Sequence, residues 1–186
     1  MESAGAGLDG RTGDDGEAIA AALVTRLAAT SPEGILEFQE VFDQLHGALY
    51  RWDVWAPAYL IGGGCSDDSF PDFRAGVIAL GREWYERVLA SPDGLANHPV
   101  VRQAAAGQDD GALFAESVNY VASGAYEQVT GEDHAFYEAM KARQHVAGGI
   151  DEAAEPMGED FDFDDDDEMR RRLPRLAELF LDCGED

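Results

Sequence analysis

Three consecutive glycines run into a cysteine and two aspartates at Gly62-Gly63-Gly64-Cys65-Ser66-Asp67-Asp68, and Arg74 follows shortly after. A cysteine just ahead of a helix has its thiolate stabilised by the helix dipole and the free backbone N–H groups. Glycines let the backbone approach a ligand closely, and an arginine at such a turn can bind an anion. Cys65, Asp67, Asp68 and Arg74 are therefore the catalytic candidates. A cysteine nucleophile also needs a base. His46, His98, His134 and His145 stand in no recognisable relation to Cys65, and the two aspartates would raise its pKa. A plain turn is the other reading: Asp or Ser capping the next helix, with Arg74 paired to the aspartates.

Hard cations want several converging oxygens. Asp67 and Asp68, even with Asp72 and Asp53, lack the spacing of a calcium loop. The glycines form no GxGxxG or P-loop pattern. No metal ligand set and no cofactor site are expected.

Upstream lie Trp52, Trp55 and Tyr59 at helical spacing. Aromatics so placed belong more often to a core than to a binding cage, and the same holds for Trp84. They can also anchor a partner, which makes Trp52, Asp53, Trp55, Tyr59 and Phe70 the binding candidates. The run Glu159-Asp160-Phe161-Asp162-Phe163-Asp164-Asp165-Asp166-Asp167-Glu168 interleaves acids with two phenyl rings. Such a run is either a solvated stretch whose last acids support the next helix, or a segment that docks on a basic partner or on the chain's own Arg170-Arg171-Arg172.

Charge narrows the partner classes. Against 38 acidic residues there are 13 basic ones, for a net charge of −25. Such a surface repels nucleic acid and anionic lipid and favours basic proteins, peptides or cations. Cys65 and Cys183 are too far apart in sequence to suggest a disulfide framework or a zinc site. Nothing at the start of the sequence has the form of a secretory signal, and no apolar run is long enough to span a bilayer. A cytoplasmic protein in its reduced state is expected.

Helical periodicity supplies the elements that must hold these residues. Ile19, Leu23 and Leu27 begin the pattern. Ser31-Pro32-Glu33 is a helix start, with Ser as cap and Pro in the first turn. Ile35, Phe38, Phe42, Leu45 and Leu49 then form one apolar stripe. Phe70, Phe73, Val77, Leu80, Trp84 and Val88 form another, with a break at Gly81, and Ser91-Pro92-Asp93-Gly94 closes it. Leu113, Phe114, Val118, Val121, Ala125 and Val129 predict a helix ending at Thr130-Gly131, and His134 to Val146 one more. Met169, Leu173, Leu176 and Phe180 line a C-terminal helix that Pro174 either splits or delays. No strand pattern occurs. The fold class is all-α: a disordered tail over 1–14, one helical domain over 15–146, an acidic connector over 147–168, and a helix over 169–186 docked on the domain.

Trp52, Asp53, Trp55, Ala58 and Tyr59, followed by Gly63-Gly64-Cys65-Ser66-Asp67-Asp68, Phe70, Phe73 and Arg74, make the pattern WDxWxxAY…GGCSDDxFxxFR. This resembles a domain-of-unknown-function family, family 4240, of actinobacterial, Streptomyces-type proteins. The resemblance continues through Gly81-Arg82-Glu83 and the SPDGLA stretch and resumes in the acidic tail. Pro57 and Pro71 depart from it. It implies a single fold and no named activity. The residues favour an acidic binding, regulatory or accessory protein engaging a basic protein or peptide. The alternative is a small tailoring enzyme with a pocket around Trp52, Trp55, Cys65, Asp67, Asp68 and Arg74.

Overall fold

The computed structural model describes residues 12–107, 111–132, 134–146 and 157–181. The fold is all-α, with no strand among the described residues. In chain order the helices are α1 (Thr12–Ala28), α2 (Pro32–Ala48), α3 (Trp52–Gly62), α4 (Phe70–Ala79), α5 (Arg82–Ala90), α6 (Pro99–Ala105), α7 (Val121–Thr130), α8 (Ala135–Val146), α9 (Asp166–Arg172) and α10 (Pro174–Phe180). Two 3₁₀ turns, Pro92–Asn97 and Glu116–Tyr120, join α5 to α6 and lead into α7.

Local chemistry explains most of these boundaries. Ser31 caps α2 by accepting the Gly34 N–H at 3.2 Å, with Pro32 in the first turn. Gly81 at φ 89° breaks the stripe into α4 and α5, and Gly131 at φ 76° ends α7. Pro174 splits the C-terminal stripe and opens α10. Pro57 lies inside α3, where it withholds the N–H that the Asp53 carbonyl would otherwise receive.

Two regions depart from the periodicity. α1 begins at Thr12, three residues before the expected limit, and the rest of the expected N-terminal tail lies outside the described residues. The helix expected from Leu113 begins only at Val121. Leu113 adopts φ 69°, and the Ala115 N–H bonds the Asp72 carbonyl of α4 at 3.0 Å, so this stretch is spent on α4 and not on its own helix. Residues 147–156 of the expected acidic connector, and Cys183, also lie outside the described residues.

The core has two joined parts. In one, α1, α2, α7 and α8 bury Ala20, Ile35, Leu36, Phe42, Ala122 and Phe136. In the other, α3, α4, α5 and α6 surround Val54, Phe73, Val77, Leu95 and Val101, and the C-terminal helices add Met169, Leu173 and Leu176. Helix α4 serves both, with Phe73 and Val77 in the second part and Ala75 in the first. It passes so close to the 112–115 stretch that a Cβ at Gly76 would lie 1.7 Å from the Leu113 carbonyl oxygen.

Candidate functional site

Helix α3 has two characters. Val54, Ala58 and Ile61 are buried, while Trp52, Trp55 and Tyr59, spaced by three and four, line a half-buried outer face. Trp52 stacks on Trp55 with centroids 5.3 Å apart, and Trp55 stacks on Phe70 of α4 at 4.6 Å, both pairs within 9° of parallel. Phe70 is 1 % exposed, so it backs this wall from inside and presents no outer surface of its own. The column continues through Arg74, whose guanidinium carbon lies 4.9 Å from the centroids of both Phe70 and Tyr50.

Arg74 is one of two buried charged side chains among the described residues, at 8 % exposure; the other is Asp93. The expected pairing of Arg74 with Asp67 or Asp68 does not form. Its Nη1 donates instead to the His46 carbonyl at 3.1 Å, in the last turn of α2, and its Nε finds no acceptor. The negative end of the α2 dipole and two ring faces take the place of a carboxylate, and burial pulls the guanidinium pKa down. The hydroxyl of Tyr85 serves the neighbouring Leu45 carbonyl at 3.1 Å. His46 is held from the other side: only its ring N–H can donate to the Pro71 carbonyl, 2.9 Å from Nε2, which leaves Nδ1 without a proton in the neutral ring. Burial, and secondarily the nearby Arg74 charge, pull its pKa down, against the opposing effect of the Pro71 bond.

Cys65 is half-buried, and the wall reaches it through one bond: Trp55 Nε1 donates to the Cys65 carbonyl at 2.9 Å. The Ser69 hydroxyl lies 3.5 Å from the sulfur and stabilises the thiolate, but burial dominates and pushes the thiol pKa up. That is opposite to the shift an activated nucleophile needs. Asp67 and Asp68 are exposed, and among the described residues no side-chain hydrogen bond or ion pair reaches them. The expected side-chain cap on α4 does not form; Ser66 closes the turn ahead of it, accepting the Ser69 N–H on its hydroxyl at 3.2 Å and the Phe70 N–H on its carbonyl at 3.0 Å. Asp53 pairs with Arg51 through Nε at 2.9 Å and through Nη2, and Arg51 reaches on to the Leu89 carbonyl.

The structure therefore joins Trp52, Trp55, Phe70, Cys65 and Arg74 in one column and leaves Asp67 and Asp68 outside it. Two clefts elsewhere have different linings. One of about 220 Å³ is apolar, between Leu23 of α1, Phe38 and Leu45 of α2 and Ile78 of α4. The other, about 280 Å³, is lined by Glu17, Phe114, Glu116 and Tyr120. None of the candidate residues lines either cleft. Among the described residues no group of three or more His, Cys, Asp or Glu side chains is placed to hold a metal ion.

The acidic run lies on the aromatic wall. The Phe163 ring meets Tyr59 at 5.5 Å, Trp52 at 5.9 Å and Trp55 at 6.4 Å, and Phe161 packs edge-on against Phe163 at 5.1 Å. The Tyr59 hydroxyl donates to Asp164, which raises the pKa of Tyr59. Arg172 sits 4.2 Å over the Phe161 ring and pairs with Glu168 at 2.6 Å and Glu159 at 3.1 Å; together with Arg171 it holds the Glu168 pKa down to about 2. Asp165 caps α9 through the N–H groups of Asp167 and Glu168.

Asp93 is the residue that sequence reasoning passed over as turn chemistry. From the 3₁₀ turn it accepts the N–H of Leu176 at 3.0 Å and that of Arg175 at 3.1 and 3.3 Å, so it caps α10 from 82 residues away. A buried carboxylate needs such donors. Its place in the SPDGLA stretch, within the family resemblance, was the available signal. No helix among the described residues is long and apolar enough to cross a membrane.

Comparison with curated proteins gives no match, and neither does comparison with solved structures. The wall on α3, the Cys65 turn, α4 and the Asp93 turn all fall within the stretch matched by the model of one family, described as "Protein of unknown function (DUF4240)", which covers residues 6–128, and the chain belongs to that family.

Proposed function

We propose that this is a cytoplasmic binding and regulatory protein whose partner is a basic protein or peptide. One observation carries the reading: the acidic run is an ordered ledge. Phe163 is half-buried against α3 and Phe161 packs on Phe163, so the backbone that carries the exposed Asp160, Asp166 and Asp167, whose carboxylates have no bond among the described residues, is anchored next to the aromatic wall. Carboxylates fixed before encounter cost less ordering on binding than those of a free tail. Half-exposed rings nearby suit Arg and Lys through their faces. The net charge of −25 adds long-range attraction for the same partners.

Cys65, with its pKa raised, and Asp67 and Asp68, facing solvent without partners among the described residues, supply no observation that favours the tailoring-enzyme reading.

The test is fluorescence anisotropy with a labelled Lys/Arg-rich peptide at low and moderate salt. The triple variant Asp160→Asn/Asp166→Asn/Asp167→Asn should weaken binding about tenfold and flatten its salt dependence. A control that removes three exposed acids elsewhere, Glu37→Gln/Glu127→Gln/Glu132→Gln, should change it little. Equal losses in the two variants would reduce the effect to non-specific polyanion attraction and refute the reading, as would the absence of any salt-sensitive binding.

A further inference from the structure

The C-terminal arm divides into a root and a strap. In the root, α9 and α10 bury Met169, Leu173, Leu176 and Ala177, and Asp93 caps α10. In the strap ahead of α9, Phe161 and Phe163 are only half-buried and Asp160 and Asp162 are exposed. Three groups on α3 receive this strap. The Trp52 N–H, in the first turn of α3 where no intrahelical acceptor exists, donates to the Met157 carbonyl at 2.9 Å. The Tyr59 hydroxyl donates to Asp164. The rings of Trp52, Trp55 and Tyr59 surround Phe163. All three receiving groups lie inside the family match over residues 6–128, and the strap lies outside it.

We infer that the Trp52–Trp55–Tyr59 face of α3 is a docking site for a short segment alternating aromatic and acidic residues, and that the chain's own Phe161-Asp162-Phe163-Asp164 occupies it in cis. The recognition elements are a backbone donor, a hydroxyl donor for a carboxylate, and a ring wall for a phenyl group, which is the chemistry such a segment presents. Binding of a basic partner to the outer carboxylates is not required for this site, because its donors and rings lie on the strap's inner side. Tethering holds the cis segment at an effective concentration of about millimolar. A competing segment therefore meets an occupied site, and the strap sets the affinity threshold for it.

The experiment uses the full-length chain and a fluorescein-labelled synthetic peptide of residues 157–168. The variant Phe161→Ala/Phe163→Ala vacates the ring wall and keeps α9, α10 and Asp93. Retention of the fold is checked by circular dichroism. The peptide should bind this variant at least about tenfold more tightly than the native chain, and a peptide carrying the same two alanines should bind neither. Equal binding to native and variant chains would overturn the inference, since the wall would not be covered. Absence of binding to the folded variant up to about 1 mM peptide would overturn it too, since the rings would then be packing alone. Should the double variant fail to fold, Phe163→Leu retains an apolar side chain, removes the ring contacts and carries the same comparison.

Discussion

Replacing Asp93 by Ala removes the side-chain acceptor that the rest of the fold supplies to the start of α10. Asp93 is 9 % exposed, and its carboxylate takes two backbone N–H groups, Leu176 at 3.0 Å and Arg175 at 3.1 and 3.3 Å. Hydrogen bonds to a charged acceptor contribute about 1.5–3 kcal/mol each, and leaving buried donors without acceptors adds their desolvation cost. Two donors make the expected loss about 3–6 kcal/mol, a large part of the stability of a domain this size. At about 2–4 °C per kcal/mol the melting temperature should fall by roughly 10 °C. Asp93→Asn retains one oxygen in the same place and should lose about half as much. Urea unfolding followed by far-UV circular dichroism gives the free energies. Tryptophan emission followed in parallel reports the arm, because Phe163 packs on Trp52 and Trp55. In Asp93→Ala the emission should shift to the red before helicity is lost, as α10 detaches and takes the strap with it. An Ala variant within about 1 kcal/mol of native, or an Asn variant as unstable as the Ala one, would refute the argument.

Gly76 and Gly47, both within helices, should respond to Ala with opposite signs: Gly76→Ala drives a Cβ to 1.7 Å from the Leu113 carbonyl and should cost about 3 kcal/mol or more, whereas Gly47→Ala meets nothing within 4 Å and should gain up to about 1 kcal/mol in denaturant titrations. Cys65, in a Cys183→Ser background, should react with iodoacetamide more slowly than an unstructured thiol at the same pH, with its rate midpoint above the ordinary cysteine range; a midpoint below that range would contradict burial as the controlling effect. His46 and His98 both have pKa values pulled below 6.5, chiefly by burial. Their folded state favours the neutral ring, so the stability they contribute is complete above 6.5 and is lost as the pH falls below it. His98→Asn, which keeps a side-chain acceptor for the Val100 N–H now held by His98 Nδ1 at 3.3 Å, should reduce that slope.

What could be read from the sequence was local. The Ser31-Pro32 start, the stripe from Ile35 to Leu49, the break at Gly81 and the stop at Gly131 each depend on residues within one or two turns, and each appears where the pattern predicts it. The misreadings share a different cause. Leu113 and Phe114 fit a helical period, but the close approach of Gly76 and the bond from Ala115 to Asp72 hold that stretch against α4, and no local signal encodes such an approach. Arg74 was expected to find its partner among the aspartates a turn or two away. It finds a helix terminus 28 residues upstream and two rings, because a guanidinium can be satisfied by carbonyls and π-faces as well as by carboxylates.

The same contrast separates the two halves of the candidate site. Trp52, Trp55 and Tyr59 were visible as a helical face, and Phe161 and Phe163 as aromatics set among acids, yet nothing in either stretch names the other. Their meeting joins Tyr59 to Asp164 across 105 residues, and the cap from Asp93 to α10 spans 82 and 83. These contacts are what turn an acidic stretch into an ordered ledge. A chain of net charge −25 gains little from folding a ten-residue run with eight acids onto itself unless apolar rings and paired cations offset the repulsion. Phe161 and Phe163 supply the rings, and Arg172, between Glu159, Glu168 and the Phe161 face, supplies the cation. Removing Arg172 should therefore loosen the strap while leaving the α3 wall intact, because the contacts of Arg172 are to Glu159, Glu168 and Phe161 and not to α3.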